Sequence, residues 1–160
     1  MTNMKSDNLA KAVKIYQQMV TALRAKKWEF EEHEKDLLII SGCVGEDFPI
    51  QFLFRVDPER DSISFHTSKF ARFSEEKLVD AAYATIVANH GLPFGVFDLD
   101  LNDGSIFYTM TSCYAGAEFS EDFFANMLAI AISTTDKYND KFIMLSKGMI
   151  NLQQFIESEG

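Results

Sequence analysis

A chain of 160 residues is about one domain of sequence, and with 47% hydrophobic and 24% charged residues it has the composition of an ordinary globular protein rather than a disordered one. A formal net charge of −9 argues against nucleic acid, whose phosphates require clustered Lys and Arg, and against anionic membrane surfaces. The acidic coat suits solubility, or a basic or amphipathic partner.

Residues 1–6 are polar and are expected to be disordered. Asp7 or Asn8 can then cap a first helix. Its apolar stripe is Leu9, Val13, Tyr16, Val20 and Leu23, widened by Ala12 and Met19. Lys26 and Lys27 suit the negative end of its dipole. Trp28, Phe30 and Glu32 alternate with acidic residues and predict a half-buried strand. Across the Glu34–Asp36 turn lies a short apolar strand, Leu37–Ser41, and then a loop marked by Gly42, Gly45 and Pro49. Ile50, Phe52, Phe54 and Val56 share one face of the next strand, opposite Gln51 and Arg55. After a turn over 57–61, Ile63 and Phe65 face the same way in a strand ending near Thr67.

Ser74, followed by Glu75 and Glu76, predicts the N-cap of a second helix, with Gly91 as its left-handed stop. This helix carries two apolar stripes, Leu78–Ala82–Ile86 and Val79–Tyr83–Val87, more than one sheet needs. Strands at Val96–Leu101 and Ser105–Cys113 flank an Asn102-Asp103-Gly104 hairpin turn. Ser120 predicts the cap of a long last helix bearing Phe124, Met127, Leu128, Ala131, Thr135, Tyr138, Phe142 and Leu145. Gly148 breaks that helix, and an amphipathic tail helix falls within 149–160. The expected architecture is therefore α+β over one domain: an antiparallel sheet flanked by N-terminal, middle and long C-terminal helices.

The chemical motifs fail on inspection. Asp98, Asp100 and Asn102 have the spacing of calcium-loop positions one, three and five. The sixth position is Asp103 instead of Gly, and the twelfth is Thr109 instead of Glu. Asp98 and Asp100 also share a strand face about 7 Å apart by strand rise, which could suit acid/base hydrolysis, but no second constellation supports them. Ser74-Glu75-Glu76-Lys77 matches an S-x-x-K spacing without the companion motifs in order. His33, His66 and His90 lie on separate elements, without partners at metal-ligand spacing. Cys43 and Cys113 lack C-x-x-C or Cys–His neighbours and behave as small hydrophobes; reduced thiols and the lack of an apolar run over Met1–Leu9 point to a bacterial-type cytoplasm. Neither cofactor nor metal is expected.

Several segments together resemble the YbjN-like group, described as bacterial sensory transduction regulators. They are the first helix leading into Lys27-Trp28-Glu29-Phe30; Gly45-Glu46-Asp47-Phe48-Pro49 before the strand Ile50–Val56; Asn89; Phe94-Gly95-Val96-Phe97-Asp98-Leu99-Asp100 with its Asp103-Gly104 turn; and Ala131–Thr135 followed by Asp136-Lys137-Tyr138. The resemblance implies a fold like that of type III secretion chaperones, in helix–sheet–helix order, commonly dimeric and non-enzymatic. It supplies no active-site residue.

The expected function is a homodimeric, chaperone-like or regulatory module that binds an unidentified protein. Its candidate interface is Leu78, Val79, Ala82, Tyr83, Ile86 and Val87. The alternatives are a sensor whose small ligand sits between sheet and long helix, and a small hydrolase using Asp98 and Asp100.

Overall fold

The computed structural model describes residues 2–158. Helix α1, Thr2–Ala25, starts before the expected Asp7 or Asn8 cap. Residues 2–6, expected to be disordered, form its first turn, because Thr2–Ser6 hold no Gly or Pro to stop helical propagation; Met1 lies outside the described residues. Its buried face is Ala12, Ile15, Tyr16, Met19, Val20, Ala22 and Leu23, while Leu9 is exposed, so the stripe sits slightly round from its expected position. The helix closes with Lys27 in the left-handed region (φ 58°): the Trp28 amide donates to the Leu23 carbonyl and the Lys27 amide to that of Arg24.

That turn redirects the chain, so strand β1 is only Glu31–His33 and Trp28 and Phe30 precede it. A 3-10 turn over Glu34–Asp36 ends at Leu37, itself left-handed, so β2 runs Leu38–Val44. The loop expected from Gly42 is therefore strand up to Val44. The partner strand β3, Pro49–Asp57, continues the ladder through Gly42↔Gln51, Cys43↔Ile50 and Val44↔Pro49, which outweighs the low strand propensity of one glycine. In β3 the period of two holds: Ile50, Phe52, Phe54 and Val56 are buried. Strand β4 is Ser62–Thr67, and β5, Ala71–Arg72, is a two-residue strand with no counterpart in the sequence reading.

Strands β6, Val96–Asp100, and β7, Ser105–Cys113, form the expected hairpin. Ser105 and Ile106 pair with both β5 and β6, so β4 and its continuation β5 lie along one edge of β7 and β6 along the other. The result is an antiparallel seven-stranded sheet in the order β1-β2-β3-β4/β5-β7-β6.

Helix α2, Leu78–His90, follows a 3-10 turn at Glu75–Lys77. The expected Ser74 side-chain cap is not made; the tight turn satisfies the Lys77 amide with the Ser74 carbonyl instead (2.9 Å). Gly91 is not left-handed either (φ −99°), since the chain leaves through a turn in which the Leu92 amide bonds the Asn89 carbonyl. Helix α3, Glu121–Ser146, likewise starts at Ser120 without a side-chain cap bond. The Phe123 amide bonds the Ser120 carbonyl there. Lys77 crosses to the far end of α3, where its ammonium donates to the Leu145 and Ser146 carbonyls, the favourable charge for a helix C-terminus.

Helices α1 and α3 pack on the inner face of the sheet, over stacked Phe52 and Phe65 (4.8 Å) and a cluster of Phe97, Tyr138 and Phe142. Gly148 (φ 72°) turns the chain into α4, Leu152–Glu157, which opens with a capping box between Asn151 and Gln154. Phe155 of α4 is fully buried on Phe142, worth roughly 1.5–3 kcal/mol, enough to dock so short a helix.

Candidate functional site

Three regions bear on function: the outward face of α2, the turn after β6, and a cleft between the sheet and α3.

Neither expected stripe of α2 packs on the sheet. The buried stripe is Ala81, Ala84, Thr85 and Ala88, which are small enough to let the helix backbone close on β6 and α3. The Asn89 carboxamide fixes this approach by pairing with the Phe97 amide (2.8 Å) and carbonyl (2.9 Å), which also shields the edge strand β6. The larger residues are pushed outward. Val79, Tyr83 and Ile86 are 78%, 52% and 68% exposed, and Leu78, Ala82 and Val87 are half-buried. All six candidate interface residues thus border one surface of α2. Beside it lies a hollow of about 480 Å³ between α2, α3 and α4, lined by Tyr83, Ile86, Val87, Tyr138 and Ile156 among others.

In the turn after β6, the Lys69 ammonium lies between two carboxylates, 2.7 Å from Asp100 Oδ2 and 2.8 Å from Asp103 Oδ2. The second oxygen of Asp100 accepts from the amide and carboxamide of Asn102, and that of Asp103 from the Ser105 amide. Lys69 chiefly, and these donors after it, lower the Asp100 pKa and hold that of Asp103 at about 2. Ionised acceptors saturated in this way are poor proton donors, and a cation entering here would have to displace an ammonium. Gly104 is required at the turn by its φ of 72° and by the Phe73 carbonyl, which occupies the place of a side chain.

The remaining candidates stay apart. His33 lies beside Glu31 (3.1 Å), His90 is exposed at the end of α2, and His66 sits on the outer sheet face, its pKa lowered chiefly by burial. Burial, and then Asp136, raise the Cys43 pKa, so its reactive thiolate is disfavoured; Cys113 is exposed at the end of β7. Among the described residues no group of three or more His, Cys, Asp and Glu could hold a metal, and no helix is long and apolar enough to cross a membrane.

The third region lies where the sensor alternative put its ligand, between sheet and long helix, although the sequence named no residues for it. It encloses about 260 Å³ between the start of β3, the end of β4 and α3. Phe48, Pro49, Phe70 and Ile143 give it apolar walls, and Thr67, Thr135 and Asn139 bring polar atoms to it. The loop that carries Phe48 is pinned to α3. The Gly45 amide bonds the Phe48 carbonyl (3.1 Å) and the Glu46 amide bonds Asp136 Oδ1 (2.9 Å). A Cβ on Gly45 would collide with Asp136 Oδ1 and come within 2.6 Å of the Phe48 carbonyl. The available signal was Thr135 and Asn139, polar residues four apart on the buried side of α3.

A family model described as "Putative bacterial sensory transduction regulator" matches residues 16–144, and the chain belongs to this family, YbjN. The match ends before the tail that carries α4. No curated protein matches the chain. Among solved structures, it is similar to "YbjN, a putative transcription regulator from E. coli" at 9% identity and a TM-score of 0.57, covering 84% of this chain and 92% of that one. It is also similar to a chain of "the HopA1-SchA Chaperone-Effector Complex", at 7% identity and a TM-score of 0.56 over 82% and 97% of the two chains. A third likeness is to a chain of "the ExsC-ExsE Complex", at 9% identity and 0.53 over 81% and 94%. The α+β fold, like that of type III secretion chaperones, is as expected; identities this low speak for the fold alone.

Proposed function

We propose that this protein is a non-enzymatic, chaperone-like or regulatory binding module that pairs with a second copy of itself through α2 and takes up another protein in the bacterial cytoplasm. The carrying observation is the outward face of α2, where Val79, Tyr83 and Ile86 lie exposed on one side of a helix. Apolar residues grouped on one face favour a contact surface. A two-fold axis lets such a face cover itself. Tyr83 projects beside the hollow lined by Ile86, Val87 and Ile156, so each copy offers both an anchor and a recess for the other's. Two of the similar structures are complexes of two proteins, one of them a chaperone with its effector, which supports a protein partner here. The net charge of −9 favours a partner that is basic or amphipathic.

Sedimentation of the wild type and Tyr83→Glu tests the pairing. The wild type is expected to be a dimer at micromolar concentration, and the variant a folded monomer with unchanged far-UV dichroism. A monomeric wild type refutes the proposal, as does a variant that unfolds, because Tyr83 would then serve the subunit's own core.

A further inference from the structure

We infer that the cleft between the Gly45–Pro49 loop and α3 is a small-molecule site for a neutral, mainly apolar ligand with one hydrogen-bond acceptor, such as a lactone, ketone or amide on a short hydrocarbon body. The proposal is independent of pairing through α2, because the cleft lies on other residues.

Asn139 carries the argument. It is only 2% exposed, it borders the cleft, and its Oδ1 already accepts from the Asp140 amide (2.6 Å). Its NH2 group has no hydrogen-bond acceptor among the described residues. That nitrogen is not sealed off, since among the described residues the buried side-chain polar atom without a hydrogen-bond partner is His33 Nε2; the Asn139 NH2 opens on the cleft, where a ligand acceptor can take the place of water. Thr67 adds a second donor: its hydroxyl oxygen accepts from the Tyr108 amide (2.8 Å), and the hydroxyl hydrogen remains for the cleft. Thr135 cannot donate, because its hydroxyl is given to the Ala131 carbonyl. Asn139 and Thr67 are therefore set to receive an acceptor, while Gln51 and Ser68, which also line the cleft, can serve in either role.

Charge decides the rest of the chemistry. Lys69 at the rim is neutralised by Asp100 and Asp103, and the Asp136 carboxylate near the loop is engaged by the Glu46 amide. An ionised ligand would have to lose its hydration without a counter-charge in the cleft, whereas a neutral carbonyl would not. The apolar walls account for most of the lining, and the pinned loop holds Phe48 and Pro49 in place before any ligand arrives. Small-molecule sites share this combination of pre-formed apolar walls and few convergent polar groups.

The test uses γ-octalactone as probe, with butylcyclohexane and octanoate as comparisons, followed by 1H–15N correlation spectra of the full chain. The lactone is expected to give saturable shifts at the Asn139 side-chain NH2 and at the Phe48 and Ile143 amides, and to bind more tightly than octanoate. Asn139→Leu is expected to weaken lactone binding about tenfold or more while leaving the hydrocarbon unchanged. Phe48→Ala, at a rim position 37% exposed and so tolerated by the fold, is expected to weaken both. The proposal is overturned if no probe shifts the Asn139 NH2, if octanoate binds as tightly as the lactone, or if both variants bind like the parent.

Discussion

The frame of the cleft makes a sharp demand on Gly45, and Gly45→Ala tests it. The added methyl would meet Asp136 Oδ1 on one side and the Phe48 carbonyl, at 2.6 Å, on the other. Relief requires the loop to move from α3, which breaks the Glu46–Asp136 hydrogen bond. Overpacking of this kind costs about 1–3 kcal/mol and the lost bond about 1 kcal/mol, so a total of about 2–4 kcal/mol is expected. Urea unfolding followed by the fluorescence of Trp28, the only tryptophan, should show a lower midpoint at an unchanged slope. Asp136→Ala alone should cost about 1 kcal/mol, and in that background Gly45→Ala should cost less, because one of its two collisions is gone. A loss below about 0.5 kcal/mol for Gly45→Ala, or strict additivity with Asp136→Ala, would refute the close approach of loop and helix.

Phe52, 2% exposed and stacked on Phe65, should cost about 3–5 kcal/mol when truncated to Ala, measured by the same unfolding experiment; a parent-like melt would contradict the register of β3. The Lys69 latch predicts a pH dependence. The folded-state pKa of Asp103 is lowered from 3.8 to about 2 and that of Asp100 is lowered too, so their contribution is complete above the unfolded value and is lost as pH falls through the folded ones. The wild-type melting temperature should therefore fall more steeply between about pH 4 and pH 2 than that of Lys69→Met, and parallel curves would show that the latch is not formed.

Elements whose order is set by local period were legible, and those set by shape were not. The alternation through Ile50–Val56 and the Asn102-Asp103-Gly104 turn each encode one geometry, and the sheet follows from them. In α2 the large apolar residues dominate the sequence pattern, yet the smallest decide the contact. Ala81, Ala84 and Ala88 bury fully because they permit close approach, and Val79 and Ile86 are displaced outward as a consequence. The two-residue β5 is too short for any period; it exists because the chain from β4 rejoins β7 after a break at 68–70.

The cleft shows a different limit. Gly45 and Asp136 are far apart in the chain and nothing local links them, yet both lie in segments that carry the family resemblance, Gly45–Pro49 and Ala131–Tyr138. Each residue has a mechanical reason to be what it is: Gly45 leaves room for the Asp136 carboxylate, Asp136 holds the Glu46 amide, and Pro49 opens β3, paired with Val44. Those segments therefore describe the frame that fixes the loop against α3. The group that would choose a ligand, the Asn139 carboxamide, stands one residue beyond the second segment, where a sequence shows only another polar position on a helix. A frame specified in one place and a recognition group placed beside it allow the same fold to carry different ligand chemistries, so resemblance in the frame leaves the ligand to be read from the residues that face the cleft.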